Sequence, residues 1–305
     1  MKFQVDKNSN DIQRGYLVTV IVAIIGVLFK TMQLVMFFDK KTGMIANQPF
    51  ANIFHWISVA CMIVVVLITL NLSTYIVPTT RFFELGTPRI AGYILFCTTI
   101  LFILQGMIDL SGHIMDYLDL NTRIAEGNLN DATKTSLLIP NIFSMVVDVF
   151  CLLSALSFYV LAMEYVREDD KKHLVLYLIP VIWSALVLVN VIIAAPSVVS
   201  IQSNGTKAIL SILVIAFLYF VSLWACGYEP RQKTFFSLFV RMAFPTVSMV
   251  MVIPYLISFL FGVRDNVMNV PFLSILGLSL YGVVVMLQFL SGCCFQLDKR
   301  KRNYK

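Results

Sequence analysis

Charge is scarce in this chain of 305 residues: Asp, Glu, Lys and Arg make up 13% of it and hydrophobic residues 59%, where an ordinary soluble domain is about 25% charged and about half apolar. A water-soluble fold cannot hide that much apolar surface. Long polar stretches are missing too, which leaves no room for a separate soluble domain of about 100 residues. Histidine occurs three times, too few for a His-rich di-iron membrane enzyme. There is no GxSxG elbow, no P-loop and no HExxH, which excludes those hydrolase, nucleotide-binding and zinc-protease signatures. The six cysteines lack CxxC spacing and sit in or at the ends of apolar runs, so they read as packing residues rather than as zinc ligands or a disulfide framework. With no nucleophile or histidine constellation, the chain does not read as an enzyme.

What is present is membrane-spanning sequence. A bilayer core of about 30 Å takes about 20 mostly apolar helical residues, and eight segments reach that length, near 15–38, 51–72, 90–112, 137–163, 174–195, 208–226, 235–261 and 271–292. The expected fold is therefore all-α, a polytopic integral membrane helix bundle of eight transmembrane helices. It divides into an N-terminal segment over 1–14, a membrane domain over 15–294 and a basic tail over 295–305. Strands of a membrane barrel would alternate in runs of about ten residues, a pattern not found here. An even span count puts both termini on one side, and that side collects most of the 23 Lys and Arg residues, including Lys299 to Arg302 of the tail. Both termini are thus expected in the cytoplasm. The formal charge of +6 is explained by basic loops beside anionic lipid and calls for no nucleic-acid partner. The short loops fit a bacterial plasma membrane. The longest outer loop, from His113 to Ser136, is expected to form a short outer helix or lid, and the inner loop 73–89, with Phe82 and Phe83, an interfacial turn or half-buried helix.

A charge in the hydrocarbon region costs at least about 2.5–3.5 kcal/mol, so each one is a functional signal to be weighed against simple pairing. The candidates for an intramembrane polar site are Asp148, Lys30, Asp109, Gln105 and Asn190. Asp148 lies about eleven residues into the fourth segment, roughly 16 Å along a helix, which places it near the midplane. It must be neutral, paired or open to water there. Lys30 is the expected cationic partner, of Asp148 or of Asp109. Arg241, near the inner end of the seventh segment, is long enough to reach the headgroups. Pro245 and Pro254 remove two backbone hydrogen bonds from that segment and make it the candidate hinge.

At the outer end of the third segment, Asp109, His113 and Asp116 stand at i, i+4 and i+7, one helical face, and His55 enters the second segment at similar depth. Together these four are the candidate metal ligands, and His55 with His113 the pair that a haem would need. Two functional expectations follow. One is a transporter-like or permease-like bundle that binds a small solute or ion around Asp148, and it predicts a polar cavity reaching that residue. The other is a non-enzymatic sensor, assembly or accessory protein acting through lipid or a membrane or cytoplasmic protein partner, and it predicts a dry, packed bundle.

Overall fold

The computed structural model describes residues 9–39, 44–45, 49–75, 88–126, 131–167, 174–194, 201–225, 234–260 and 271–284. Within them lie eight helices: α1 (Ser9–Met36), α2 (Pro49–Tyr75), α3 (Pro88–Ala125), α4 (Asp131–Arg167), α5 (Leu174–Ala194), α6 (Ile201–Ala225), α7 (Thr234–Leu260) and α8 (Phe272–Val284). Each overlaps one of the eight apolar segments. Six of them (α1 to α5 and α7) are long and apolar enough to cross a membrane, while the apolar parts of α6 and α8 are shorter. Between α1 and α2, β1 (Phe38–Asp39) and β2 (Met44–Ile45) pair antiparallel, Phe38 opposite Ile45. The expected interfacial segment after Tyr75, through residue 87, and the basic tail lie outside the described residues.

Pro49 and Pro88 each open a helix, the position where a missing N–H costs nothing because no carbonyl precedes it. Arg123 and Arg167 occupy the last turns of α3 and α4 and complement the carbonyl ends of those helices. Packing then divides the work. α1 lies on α2 and α7, α3 lies on α4, and α5 bridges α4 and α6. α8 runs among them and is fastened by polar contacts: Thr98 Oγ1 donates to Gly277 O at 3.0 Å, Ser279 Oγ to Ser248 Oγ at 2.7 Å, and the Tyr165 and Tyr281 hydroxyls meet at 3.1 Å. Aromatic side chains fill the centre, with Phe102 in contact with both Phe158 and Trp183 at 4.9 Å and Phe217 stacked on Phe244 at 4.3 Å. The outward faces stay apolar: Leu17, Ile21 and Leu28 on α1 and Ile53, Ile63 and Leu67 on α2 are exposed. Such faces suit lipid, since water would expel them.

The third outer loop differs from expectation. α3 has 38 residues and α4 has 37, about 57 and 55 Å at 1.5 Å per residue, against a hydrocarbon core of about 30 Å. Both helices continue through the region assigned to a lid and leave only residues 127–130 between their described parts. α7 passes through Pro245 and Pro254 without interruption, and Pro245 packs against Gly282 of α8.

Candidate functional site

Among the described residues the α3–α4 hairpin carries most of the Asp, Glu, Lys and Arg side chains, and its inward face opens into a cavity of about 490 Å³, within the range of about 300–1,000 Å³ usual for small-molecule sites. α3 lines it from Gln105 through Asp109, His113, Asp116 and Asp119 to Arg123. These follow helical spacing along one face for about five turns, or about 27 Å. α4 contributes Pro140, Asn141, Ser144, Asp148 and Cys151, α5 contributes Trp183, Val187 and Asn190, and Pro271 at the start of α8 closes one end.

Asp148 is 5% exposed, and its partner is His113: Nδ1 lies 2.7 Å from Oδ2. Lys30 is elsewhere. It donates to Gln33 Oε1 at 2.8 Å and meets His55 Nδ1 at 3.4 Å, in a cluster between α1 and α2. The expected Lys30 pair with Asp148 or Asp109 is therefore not formed, because α1 and α2 pack on α7 rather than on the α3–α4 face. Asp109 is held by Gln105, whose Nε2 donates to Asp109 Oδ2 at 2.5 Å while its Oε1 accepts the Leu273 N–H at 2.9 Å. Leu273 belongs to the first turn of α8, where backbone N–H groups have no partner within the helix. Gln105 thus caps α8 with one end of its amide and orients Asp109 with the other. Asn190 receives a hydrogen bond from Ser144 at 3.4 Å.

Four of the five intramembrane candidates, Asp148, Asp109, Gln105 and Asn190, come together in the cavity, and Lys30 does not. Of the metal candidates, Asp109, His113 and Asp116 line the same cavity, whereas His55 joins Lys30. Among the described residues no group of three or more His, Cys, Asp and Glu side chains is placed to hold a metal ion. The two histidines required by a haem reading fall in separate clusters. The hinge candidates Pro245 and Pro254 belong to α7, none of whose described residues lines the cavity.

Sequence reasoning missed Asn141, Ser144, Cys151 and Trp183 as site residues. The signal was there: Asn141, Ser144, Asp148 and Cys151 stand at i, i+3, i+7 and i+10, a single face of α4. Two polar atoms on the lining have no hydrogen-bond partner among the described residues, Trp183 Nε1 and Asn141 Oδ1. A buried polar atom left unmatched costs about 1–3 kcal/mol. At the mouth, Arg123 Nη2 meets Asp119 Oδ2 at 2.8 Å, with both side chains more than half exposed.

A second polar cluster lies toward the other end of the bundle. The Tyr177 hydroxyl donates to Glu164, and Tyr165 and Tyr281 pair beside Arg241. Arg241 is 5% exposed. Its side chain turns into the protein rather than toward headgroups, because the tyrosine hydroxyls offer it polar company inside.

A bundle of this kind, helical among the described residues apart from one short ribbon, lipid-suited outside and polar along one internal face, is a multi-pass integral membrane protein. Comparison of the chain with protein-family models, with curated proteins and with solved structures finds no match.

Proposed function

We propose that the protein is a permease-like bundle of a bacterial plasma membrane that takes a small solute or ion into the cavity between α3, α4 and α5, with both termini in the cytoplasm. One observation carries this reading: a cavity of about 490 Å³ runs along the polar face of α3 and reaches the buried Asp148. A carboxylate so buried is expensive to hold, and a partner-binding bundle has no use for an open volume beside it. The bacterial assignment rests on the short loops alone, and the cytoplasmic termini on the charge bias of those loops. The α7 prolines supply the flexible element of such a bundle, acting through α8, against which Pro245 packs.

The test is access. In a chain whose six native cysteines are replaced, Ser144→Cys should react with a membrane-impermeant maleimide added to intact cells, and Ala155→Cys, in the packed core, should not. Equal protection of both would mean a dry bundle. The alternative would then be preferred, a sensor or accessory protein that meets its partner through the long, charged α3–α4 extension, where Asp116, Asp119 and Arg123 are exposed.

A further inference from the structure

Charge on the cavity wall is one-sided. Asp109, Asp116, Asp119 and Asp148 face Arg123 and His113, and Arg123 is already engaged by Asp119 at the mouth. Deeper in, each of the two key carboxylates has one oxygen committed, Asp148 Oδ2 to His113 and Asp109 Oδ2 to Gln105. Among the described residues neither Oδ1 has a hydrogen-bond partner. Trp183, 1% exposed, lines the same cavity with its indole N–H unmatched, and so does Asn141 with its side-chain oxygen. The wall therefore offers three acceptors that want N–H donors, two of them carboxylate oxygens, and one donor that wants an oxygen.

We infer that the ligand of this cavity is a small organic amine bearing a neutral oxygen, an amino alcohol or a close relative, bound as its cation. This rests on the reading of the cavity as a solute site and specifies what enters it. The ammonium group bridges Asp109 and Asp148, where a low-dielectric wall strengthens its attraction, and the hydroxyl accepts from Trp183 Nε1. A bare metal ion does not suit the same wall, because no three acidic, His or Cys side chains converge closely enough to coordinate one. An acid does not suit it either, because the carboxylates repel it. An aliphatic amine keeps its proton at neutral pH, so the charge match holds under ordinary conditions.

The test uses the purified full chain in an uncharged detergent and four probes on one four-carbon skeleton: aminobutanol, butylamine, butanediol and hydroxybutyrate. A ligand that binds only the folded state raises the unfolding midpoint saturably. Aminobutanol should do so, butylamine more weakly, and butanediol and hydroxybutyrate not at all. Asp148→Asn and Asp109→Asn should each weaken aminobutanol roughly tenfold or more, the worth of a charge-assisted hydrogen bond. Trp183→Phe keeps the ring and removes the N–H, so it should abolish the difference between aminobutanol and butylamine while leaving butylamine unchanged. The three variants are compared only after each gives a cooperative transition without probe, and any one of them suffices. If butanediol or hydroxybutyrate binds in place of the amine, the charge assignment is overturned and the solute site survives. If no probe binds, the amine inference is wrong, and the solute-site reading stands or falls separately on the maleimide access of Ser144→Cys. If aminobutanol binds equally well in every variant, it binds elsewhere and the inference is wrong.

Discussion

At the scale of single residues, the decisive contact is His113 with Asp148. The carboxylate is 7% exposed and the imidazole 32%, so the pair is neither a free surface bridge nor a fully desolvated one. Removing one partner should show the asymmetry. His113→Ala leaves a buried carboxylate without its donor and should destabilise the protein by about 1–3 kcal/mol, whereas Asp148→Asn keeps a hydrogen bond to Nδ1 and should cost less. Thermal midpoints of wild type and both variants, taken across about pH 5 to 9, decide this. Both variants should also show a weaker pH dependence than wild type, because each removes one member of the His113–Asp148 pair. A loss of several kcal/mol in Asp148→Asn at every pH would instead mark Asp148 as part of a packing network.

At the scale of elements, the α3–α4 hairpin depends on close approach at glycines. A Cβ on Gly92 would lie 3.1 Å from the Ala162 carbonyl oxygen and 2.8 Å from a Val166 methyl, and one on Gly106 would meet Leu152 at 2.8 Å. Backbone cannot yield as a leucine tip can. Gly112, further along the same helix, has nothing within 4 Å of that position. Gly92→Ala should therefore destabilise by about 1–3 kcal/mol through overpacking, with Gly106→Ala milder. Gly112→Ala should be neutral or stabilising by up to about 1 kcal/mol, because alanine is the better helix former. Unfolding midpoints of the three variants give the order directly, and a Gly112→Ala as damaging as Gly92→Ala would contradict this account of the hairpin.

At the scale of the whole molecule, the helix lengths set the outline. α3 and α4 exceed the bilayer core by about 25 Å each, too long for both to fit within it along its normal. An epitope inserted after Glu126 should be reached by antibody on intact cells, while a tag appended to the C-terminus should require permeabilised ones. Equal access to both would remove the basis for an even number of crossings. The polar cavity runs down the inside of this same hairpin.

The amino-acid sequence by itself determined the class of the molecule. Apolar runs of spanning length, with so few charges between them, have only one stable solvent, and each described helix overlaps one of those runs, with α3 and α4 extending past theirs. It also determined which residues were costly enough to demand an explanation, Asp148 first among them. Partner choice was another matter. Lys30 was the expected partner of Asp148, and His113 was assigned to the loop at the membrane edge because the run from it onward is polar. Only the packing of α3 on α4, and of α1 away from both, settled the matter in favour of His113. Trp183 was invisible for a related reason: an unmatched N–H is a property of what surrounds the atom. Local periodicity fixes which face a side chain occupies, but only tertiary contacts decide what that face meets.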